Sequence, residues 1–156
     1  MGESALLWGH VSDFVFQGES ALTLDGKGRV TVPARFRDDL NALCTGQMTV
    51  TKHPGRCLLL FPRPAWVEFR SKLLQLPMDA EAWRRLFLGS AMDVDIDAGS
   101  RVLLSPELRA WAGLGKDLML VGMGSRMEIW DRERYLANEN LTLSQPMPDG
   151  LRNMVM

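Results

Sequence analysis

Two stretches of the chain carry the same pair of charged residues at the same spacing. Asp25 precedes Arg29 by four residues, and Asp97 precedes Arg101 by four residues. Each pair flanks a short segment of glycine and other turn-forming residues, so its aspartate can accept hydrogen bonds from turn N–H groups or from the guanidinium. The spacing predicts two tight turns, in which the aspartates have a structural role and the arginines are available to bind an anion.

Basic residues are densest around the first of these turns. Lys27 lies at the turn tip between Gly26 and Gly28, and Arg35 and Arg37 follow closely. Arginine suits both bidentate contact with guanine and contact with phosphate, and a two-stranded ribbon fits the major groove of B-DNA. The alternative interpretation is a solvated charged face. The DNA-binding hypothesis assigns the contacts to Arg29, Lys27, Arg35 and Arg37, and gives a structural role to Asp25, Gly26, Gly28 and Asp97.

Three acidic residues in the second half of the chain form a candidate cation site. Asp93, Asp95 and Asp97 alternate along one predicted strand, and carboxylates on one strand face are hard-cation ligands. His53, which belongs to the other half of the chain, is the additional ligand that a metal-assisted hydrolase would need. A polar strand edge that discourages unwanted pairing explains the three carboxylates better. We therefore expect no metal and no other cofactor.

Nucleophilic catalysis is the other enzymatic alternative. His53 precedes a Pro-Gly turn, Cys57 opens an apolar strand, and Cys44 is the second cysteine of the chain. A turn histidine and packed thiols account for these residues, so we expect no enzyme. The cysteines show neither metal-ligand spacing nor a disulfide framework, which favours a reducing cytoplasm.

The two turns belong to a longer internal repeat. Residues 22–37 and 94–109 align at an offset of 72 residues with apolar residues matched, and later segments match at an offset near 70. Such self-similarity indicates a duplicated module. Modules of about 70 residues bury too little surface to be stable alone. We expect the two halves to pack on each other, exchange strands or assemble further.

The repeat also sets the expected domain boundaries. We assign residues 1–15 to an N-terminal extension, 16–78 to the first module, 79–142 to the second, and 143–156 to a tail without regular structure. The strands on either side of each Asp–Arg turn are expected to form a hairpin. A helix from residue 79 to about residue 88 is expected to turn Trp83 inward and Arg84 and Arg85 outward, and Ser105 and Asp131 are predicted helix N-caps.

Composition is that of an ordinary globular protein. The 156 residues have a net charge of −1 and are 46% hydrophobic, and no apolar run is long enough to cross a bilayer. The first half holds nine basic residues against seven acidic ones, and the second half nine against twelve. This overall charge does not favour nucleic-acid binding. The DNA-binding hypothesis therefore depends on the local basic residues around the first turn.

The blocks FQGESALTLDGKGRVTVPARFRDDL, LLLFPRPAW and LGSAMDVDIDAGSRVLLSPELRAWAGLGKDLMLVGMGSRMEIWD resemble the MraZ family of bacterial transcriptional regulators. The resemblance implies an α+β chain of two tandem AbrB-like modules in pseudo-two-fold relation, each a small β-barrel-like sheet with short helices. It also implies a ring-shaped homo-oligomer that binds tandem promoter repeats in double-stranded DNA. The ring would repress its own gene and the division and cell-wall gene cluster, so we expect a cytoplasmic, nucleoid-associated protein without membrane contact.

The resemblance refines the residue roles. Family members carry one Asp-x-x-x-Arg motif in each module, and the resemblance implies that the motif arginines, here Arg29 and Arg101, and nearby basic residues face DNA. Gly99 stands where the first copy has Lys27, which makes the second copy the weaker candidate for DNA contact. The alternative function is a non-catalytic, protein-binding scaffold ring without specific DNA affinity.

Overall fold

The computed structural model describes residues 14–156, so most of the predicted N-terminal extension lies outside the described part of the chain. Eight strands and six α-helices occur within the described residues, with one short 3-10 helix at Met78–Ala80. The strands are β1 Glu19–Thr23, β2 Arg29–Thr31, β3 Gln47–His53, β4 Cys57–Pro62, β5 Met92–Asp95, β6 Arg101–Leu103, β7 Asp117–Gly122 and β8 Met127–Asp131. The helices are α1 Ala34–Cys44, α2 Arg63–Leu74, α3 Glu81–Ser90, α4 Pro106–Trp111, α5 Arg132–Leu143 and α6 Asp149–Val155.

Both modules contribute to one antiparallel sheet. Its strand order is β1-β7-β8-β4-β3-β5, and β2 and β6 form a separate two-stranded ribbon. The order is symmetric about the β8–β4 pair, because each half contains two neighbouring strands of one module followed by the first strand of the other. The fold is therefore the expected α+β pair of modules in pseudo-two-fold relation, and the modules exchange strands.

The strand exchange between the modules shows that two sequence-based predictions, the hairpins and the barrel-like sheets, are wrong. The strands on either side of each Asp–Arg turn do not form a hairpin: β1 pairs with β7, β5 pairs with β3, and β2 pairs with β6. The described residues also form no closed barrel, since β1 and β5 are the open edges of the six-stranded sheet. Strands with the same alternating pattern in two copies can pair within or between copies, and the sequence pattern does not distinguish these alternatives.

The main hydrophobic core is shared between the two modules. It lies between the sheet, the β2–β6 ribbon and helices α1 and α4, and it joins residues at equivalent positions of the repeat. Four such pairs are Val30 and Val102, Val32 and Leu104, Phe36 and Leu108, and Leu40 and Ala112. Because these pairs pack in one cluster, neither module buries its own apolar residues without the other.

Helices α2, α3 and α5 cover the opposite face of the sheet. Trp66 of α2 packs with Phe61 at a ring-centroid distance of 5.4 Å, and Phe69 packs edge-on against Phe87 of α3 at 5.4 Å. Tyr135 of α5 packs against Trp130 at 5.9 Å and donates its hydroxyl hydrogen to Glu19 of β1. Burial and this hydrogen bond to a carboxylate raise the pKa of Tyr135 to about 12.

Two predictions about helix α3 are wrong. Trp83 is 54% exposed rather than turned inward. Arg84 does not point into solvent; it donates hydrogen bonds to the carbonyls of Leu73, Leu76 and Pro77. Leu73 lies in the last turn of α2 and the other two carbonyls follow this helix, so the guanidinium binds the carbonyl end of α2 and the segment after it.

The two predicted N-caps are confirmed, whereas the prediction for the tail is wrong. Ser105 Oγ accepts a hydrogen bond from the N–H of Leu108 at 3.2 Å, and Asp131 accepts one from the N–H of Arg134 at 3.4 Å. The tail was expected to lack regular structure, but it forms α6. All residues of α6 are exposed, so the helix contributes nothing to the core.

Candidate nucleic-acid interface

The first Asp–Arg turn is closed by the aspartate. Asp25 Oδ1 accepts hydrogen bonds from the N–H groups of Lys27 at 2.9 Å and Arg29 at 2.8 Å. The Nε of Arg29 donates to Asp25 Oδ2 at 2.8 Å, and the N–H of Gly28 donates to the carbonyl of Asp25 at 3.0 Å. The carboxylate thus fixes both the backbone of the turn and the direction of its arginine.

The second turn repeats this arrangement. Asp97 Oδ1 accepts from the N–H groups of Gly99 at 2.8 Å and Arg101 at 2.9 Å. The Nε of Arg101 lies 3.2 Å from Asp97 Oδ2, and the N–H of Ser100 donates to the carbonyl of Asp97 at 2.9 Å. The prediction that Asp-x-x-x-Arg marks a turn is therefore realised in both modules.

Both aspartates are held as carboxylates by these bonds. The hydrogen bond from the N–H of Arg29 has the largest effect on the pKa of Asp25, and with the guanidinium it lowers that pKa against a smaller opposing effect of burial. The N–H and guanidinium of Arg101 lower the pKa of Asp97 in the same way. At neutral pH each turn therefore contains one anion and one arginine whose Nε is occupied by that anion.

The β2–β6 ribbon places the two turns at its opposite ends. In the antiparallel register Arg29 lies opposite Leu103, Val30 opposite Val102, and Thr31 opposite Arg101. The end of each strand therefore lies next to the turn of the other module. The N–H of Leu104 bonds to the carbonyl of the turn residue Gly28 at 2.9 Å, and an equivalent bond joins Val32 to Ser100 at 2.8 Å.

This crossing brings an arginine of one module to the turn of the other. Arg109 of α4 donates through Nε to the carbonyl of Leu104 at 3.0 Å, and a Cβ on Gly28 would lie 2.8 Å from the Arg109 Cζ. At the equivalent position Arg37 donates to the carbonyl of Val32 at 2.8 Å and lines a depression with Asp97 and Ser100. Sequence reasoning aligned Arg109 with Arg37 but did not select Arg109 as a DNA-binding residue.

Lys27 and Arg35 have different surroundings. The ammonium of Lys27 forms no hydrogen bond or ion pair with the described residues, and the residue is exposed at the turn tip. Arg35 instead donates to Ser20 Oγ at 2.6 Å, and its Cζ lies 4.5 Å from the centroid of the Phe36 ring. Lys27 is therefore free to bind an external anion, whereas these contacts explain Arg35 without one.

The residues of the alternative metal site are not brought together. His53 lies beside Cys57 and Glu128, and its Nε2 is 3.7 Å from Glu128 Oε2. The N–H of Gly55 donates to His53 Nδ1 at 2.9 Å, so in the neutral ring Nε2 carries the proton and points it towards Glu128. Trp130 donates to the other carboxylate oxygen at 2.8 Å. This is a hydrogen-bonded buried carboxylate, and the proton on Nε2 opposes metal ligation.

The two cysteines and the acidic strand have structural surroundings. Cys44 and Cys57 are buried, and burial raises the pKa of both thiols. Asp93 accepts a hydrogen bond from Thr49 Oγ1 at 2.9 Å and lies 3.6 Å from the Nε of Arg63. Neutral buried thiols are poor nucleophiles, and a partnered carboxylate at the sheet edge agrees with the structural interpretation of the acidic strand.

Within residues 14–156, none of the helices combines the length and apolar composition needed to span a bilayer.

The fold and the paired turns define a class of protein: a duplicated, strand-exchanged module that displays one Asp–Arg turn at each end of a central ribbon. A family model described as "MraZ protein, putative antitoxin-like" matches residues 15–87 and again residues 86–147. The chain belongs to the MraZ family.

Curated relatives support the same membership. The chain is 60% identical over 139 residues to "Transcriptional regulator MraZ" of Burkholderia vietnamiensis and to the protein of that name from Burkholderia multivorans. It is 59% identical to the one from Burkholderia ambifaria. Each match covers 89% of this chain and 98% of the relative.

Proposed function

We propose that this chain is a transcriptional regulator that binds double-stranded promoter DNA sequence-specifically and represses its own gene and the division and cell-wall gene cluster. It acts without catalysis, in the cytoplasm and at the nucleoid. The observation that carries the proposal is the first turn, where exposed Lys27 lies at the tip and Asp25 holds the guanidinium of Arg29 through Nε. The relatives named as transcriptional regulators give the biological context.

The roles of the basic residues follow from their contacts. Asp25 binds Arg29 through Nε, so the Nη groups of the same guanidinium are left to donate to an acceptor such as guanine or phosphate. Lys27 supplies a mobile point charge for phosphate. Arg37 and Arg101 are the corresponding cations of the second turn. Arg35 contributes more to the fold than to DNA contact, because it is hydrogen-bonded to Ser20.

One turn with a few cations binds DNA weakly, so the proposal includes a ring-shaped homo-oligomer. Several copies that face repeated operator boxes make later contacts intramolecular and raise avidity by ~10²–10⁴. Large apolar side chains are exposed near the end of α2, on α3 and along the C-terminal helices, which is typical of association surfaces. They include Leu74, Leu76, Met78, Trp83, Leu141, Leu143, Met147, Leu151 and Met154.

The test is a fluorescence-anisotropy titration of the full chain with a labelled fragment of its gene's own upstream region. A scrambled fragment of equal length and composition is the control, and both are titrated at two salt concentrations. We expect tight binding to the native fragment alone, with an affinity that falls as salt rises. Light scattering on the same sample measures the oligomer, which we expect to exceed a dimer.

Equal and weak binding to both fragments would overturn the DNA-binding proposal. An oligomer that binds DNA without specificity would instead fit the alternative function, a non-catalytic, protein-binding scaffold ring. A monomer that still recognises the native fragment would overturn the ring but not the site.

A further inference from the structure

We infer that Arg109, from the second module, is a phosphate-binding residue of the first module's turn. The inference rests on the proposed DNA binding and adds a residue that the Asp-x-x-x-Arg motif does not contain. In this arrangement the first DNA-contacting surface is composite, because its Lys27 and Arg29 come from one half of the chain and its third cation comes from the other half.

The position of Arg109 is set by the exchange of strands. Because β2 and β6 are antiparallel, the residue that follows β6 lies beside the turn that precedes β2. Leu104 bonds to Gly28 through its N–H, and Arg109 bonds to Leu104 through the carbonyl. Two successive hydrogen bonds therefore connect the guanidinium to the turn.

Gly28 provides the space that the guanidinium occupies. A Cβ at this position would lie 2.8 Å from Cζ and 2.9 Å from both Nε and Nη2 of Arg109. A side chain there would displace the guanidinium, so the glycine allows it to lie directly against the turn backbone. The residue that follows Gly28 is Arg29, so each module contributes an arginine to the first turn.

The hydrogen-bonding groups of Arg109 leave capacity for a ligand. Its Nε is used by the carbonyl of Leu104, and the described residues offer no hydrogen-bond acceptor to its Nη1 and Nη2 groups. It forms no ion pair within the described residues, although the acidic residue Glu107 is nearby in sequence. An arginine with a fixed Nε and two unused Nη groups is suited to a phosphate oxygen.

Phosphate is a better ligand than a base edge for this residue. A guanidinium that lies against the turn backbone and is tethered by Nε has limited reach beyond the turn, whereas base edges lie at the floor of a groove. Phosphate contacts orient a protein on the duplex and contribute a salt-dependent term to affinity. Arg109 should therefore change affinity and its salt dependence without changing which sequence is preferred.

The experiment compares Arg109→Gln with Lys27→Gln and Arg85→Gln in the full chain. Arg85 is an exposed arginine on α3, so its variant changes the net charge equally but lies on another element. Each variant is titrated with the native and the scrambled upstream fragments over a range of salt. Removal of one phosphate contact lowers the slope of log K against log salt by about 0.9, which is about eightfold in affinity at 0.1 M salt for each bound protomer.

We expect Arg109→Gln and Lys27→Gln to lose affinity by at least this factor and to retain the preference for the native fragment, while Arg85→Gln binds normally. If Arg109→Gln binds like Arg85→Gln while Lys27→Gln is weak, the inference about Arg109 is wrong and the proposed function stands. If the unsubstituted chain does not distinguish the two fragments, the proposed function itself fails.

A second pair of variants tests the position of the Arg109 guanidinium without removing its charge. Gly28→Ala keeps every charge but places a methyl group where the guanidinium lies, whereas Gly124→Ala adds a methyl group at nearly the same φ, +82° against +83°, with nothing within 4 Å. We expect Gly28→Ala to weaken binding by about as much as Arg109→Gln, and Gly124→Ala to bind normally. Normal binding by a folded Gly28→Ala variant would overturn the inference.

Discussion

The two Asp–Arg turns have the same internal geometry but present different surfaces. In both, the aspartate accepts two main-chain N–H bonds and one arginine Nε. The first turn adds Lys27 at its tip, where the second has Gly99. The carboxylate network therefore preserves the turn, while the residues that the network does not use are free to differ.

The two turns also differ in the surroundings of the motif arginine. A Cβ on Gly99 would lie 2.9 Å from the Nε of Arg101, so in the second turn the guanidinium lies against the tip backbone. In the first turn Lys27 has a side chain at this position. There the arginine is 24% exposed and bonds to its aspartate at 2.8 Å, against 36% and 3.2 Å in the second turn.

The largest expected effect distinguishes the two motif arginines. We expect Arg29→Ala to abolish specific operator binding and Arg101→Ala to weaken it less, because only the first arginine has Lys27 beside it. A lost base contact costs about 1–3 kcal/mol, and the loss is repeated in every bound copy. Anisotropy measures the affinity, and light scattering checks that both variants keep the oligomer of the unsubstituted chain. Equal losses would show that the two turns contact DNA equivalently.

Exchange of the tip residues tests the charge difference directly. We expect Lys27→Gly to reduce the salt slope by about 1 for each bound copy, and Gly99→Lys to increase it. The second variant also moves the guanidinium of Arg101, since the new Cβ needs the space that it occupies. Titrations at several salt concentrations measure both slopes. An unchanged slope in Gly99→Lys would indicate that the second turn lies away from DNA.

A smaller effect concerns the residue before each arginine. Gly28 has a φ of +83°, and Ser100 has a φ of +63°, in the region that costs other residues about 1–2 kcal/mol. We expect Gly28→Ala to lower the free energy of unfolding by about this amount. Ser100→Gly should raise the free energy of unfolding by about 0.5–1 kcal/mol, because the backbone strain that glycine relieves exceeds the conformational entropy that it adds to the unfolded chain.

Thermal unfolding measures both changes, with Gly26→Ala as the control for adding a methyl group to the first turn. The second module has Ala98 at the position of Gly26, so the module tolerates this substitution. A Ser100→Gly variant less stable than the unsubstituted chain would show that the serine side chain offsets its backbone strain.

The smallest expected effect is common to both turns. Asp25 and Asp97 have pKa values lowered below 3.8 in the folded chain, so their carboxylates stabilise the fold above pH 3.8. This stabilisation is lost as the pH falls below 3.8 and through the lowered values. We expect the double variant Asp25→Asn with Asp97→Asn to be less stable at pH 7 and to lose less stability on acidification. Unfolding at pH 7 and at pH 3 measures both. Parallel pH dependence in the variant and the unsubstituted chain would contradict the assigned role.

Much of the local structure is predictable because it depends on neighbouring residues. Asp25 and Asp97 reach N–H groups two and four residues away, and Ser105 reaches one three residues away. The error at Trp83 has a different origin. An apolar residue at helical spacing is expected to face the core, but the described residues leave about half of the Trp83 side chain uncovered.

The two turns and the duplication can be predicted from the sequence alone, since an aspartate near its N–H partners and a repeated pattern need no distant information. Strand pairing, and which arginine lies at which turn, follow from the tertiary structure. Equivalent strands of the two modules offer the same hydrogen-bonding edges and the same alternating apolar face, so pairing depends on the common core of both halves. The antiparallel β2–β6 register then brings Arg109 to Gly28, a contact between residues that are far apart in the chain.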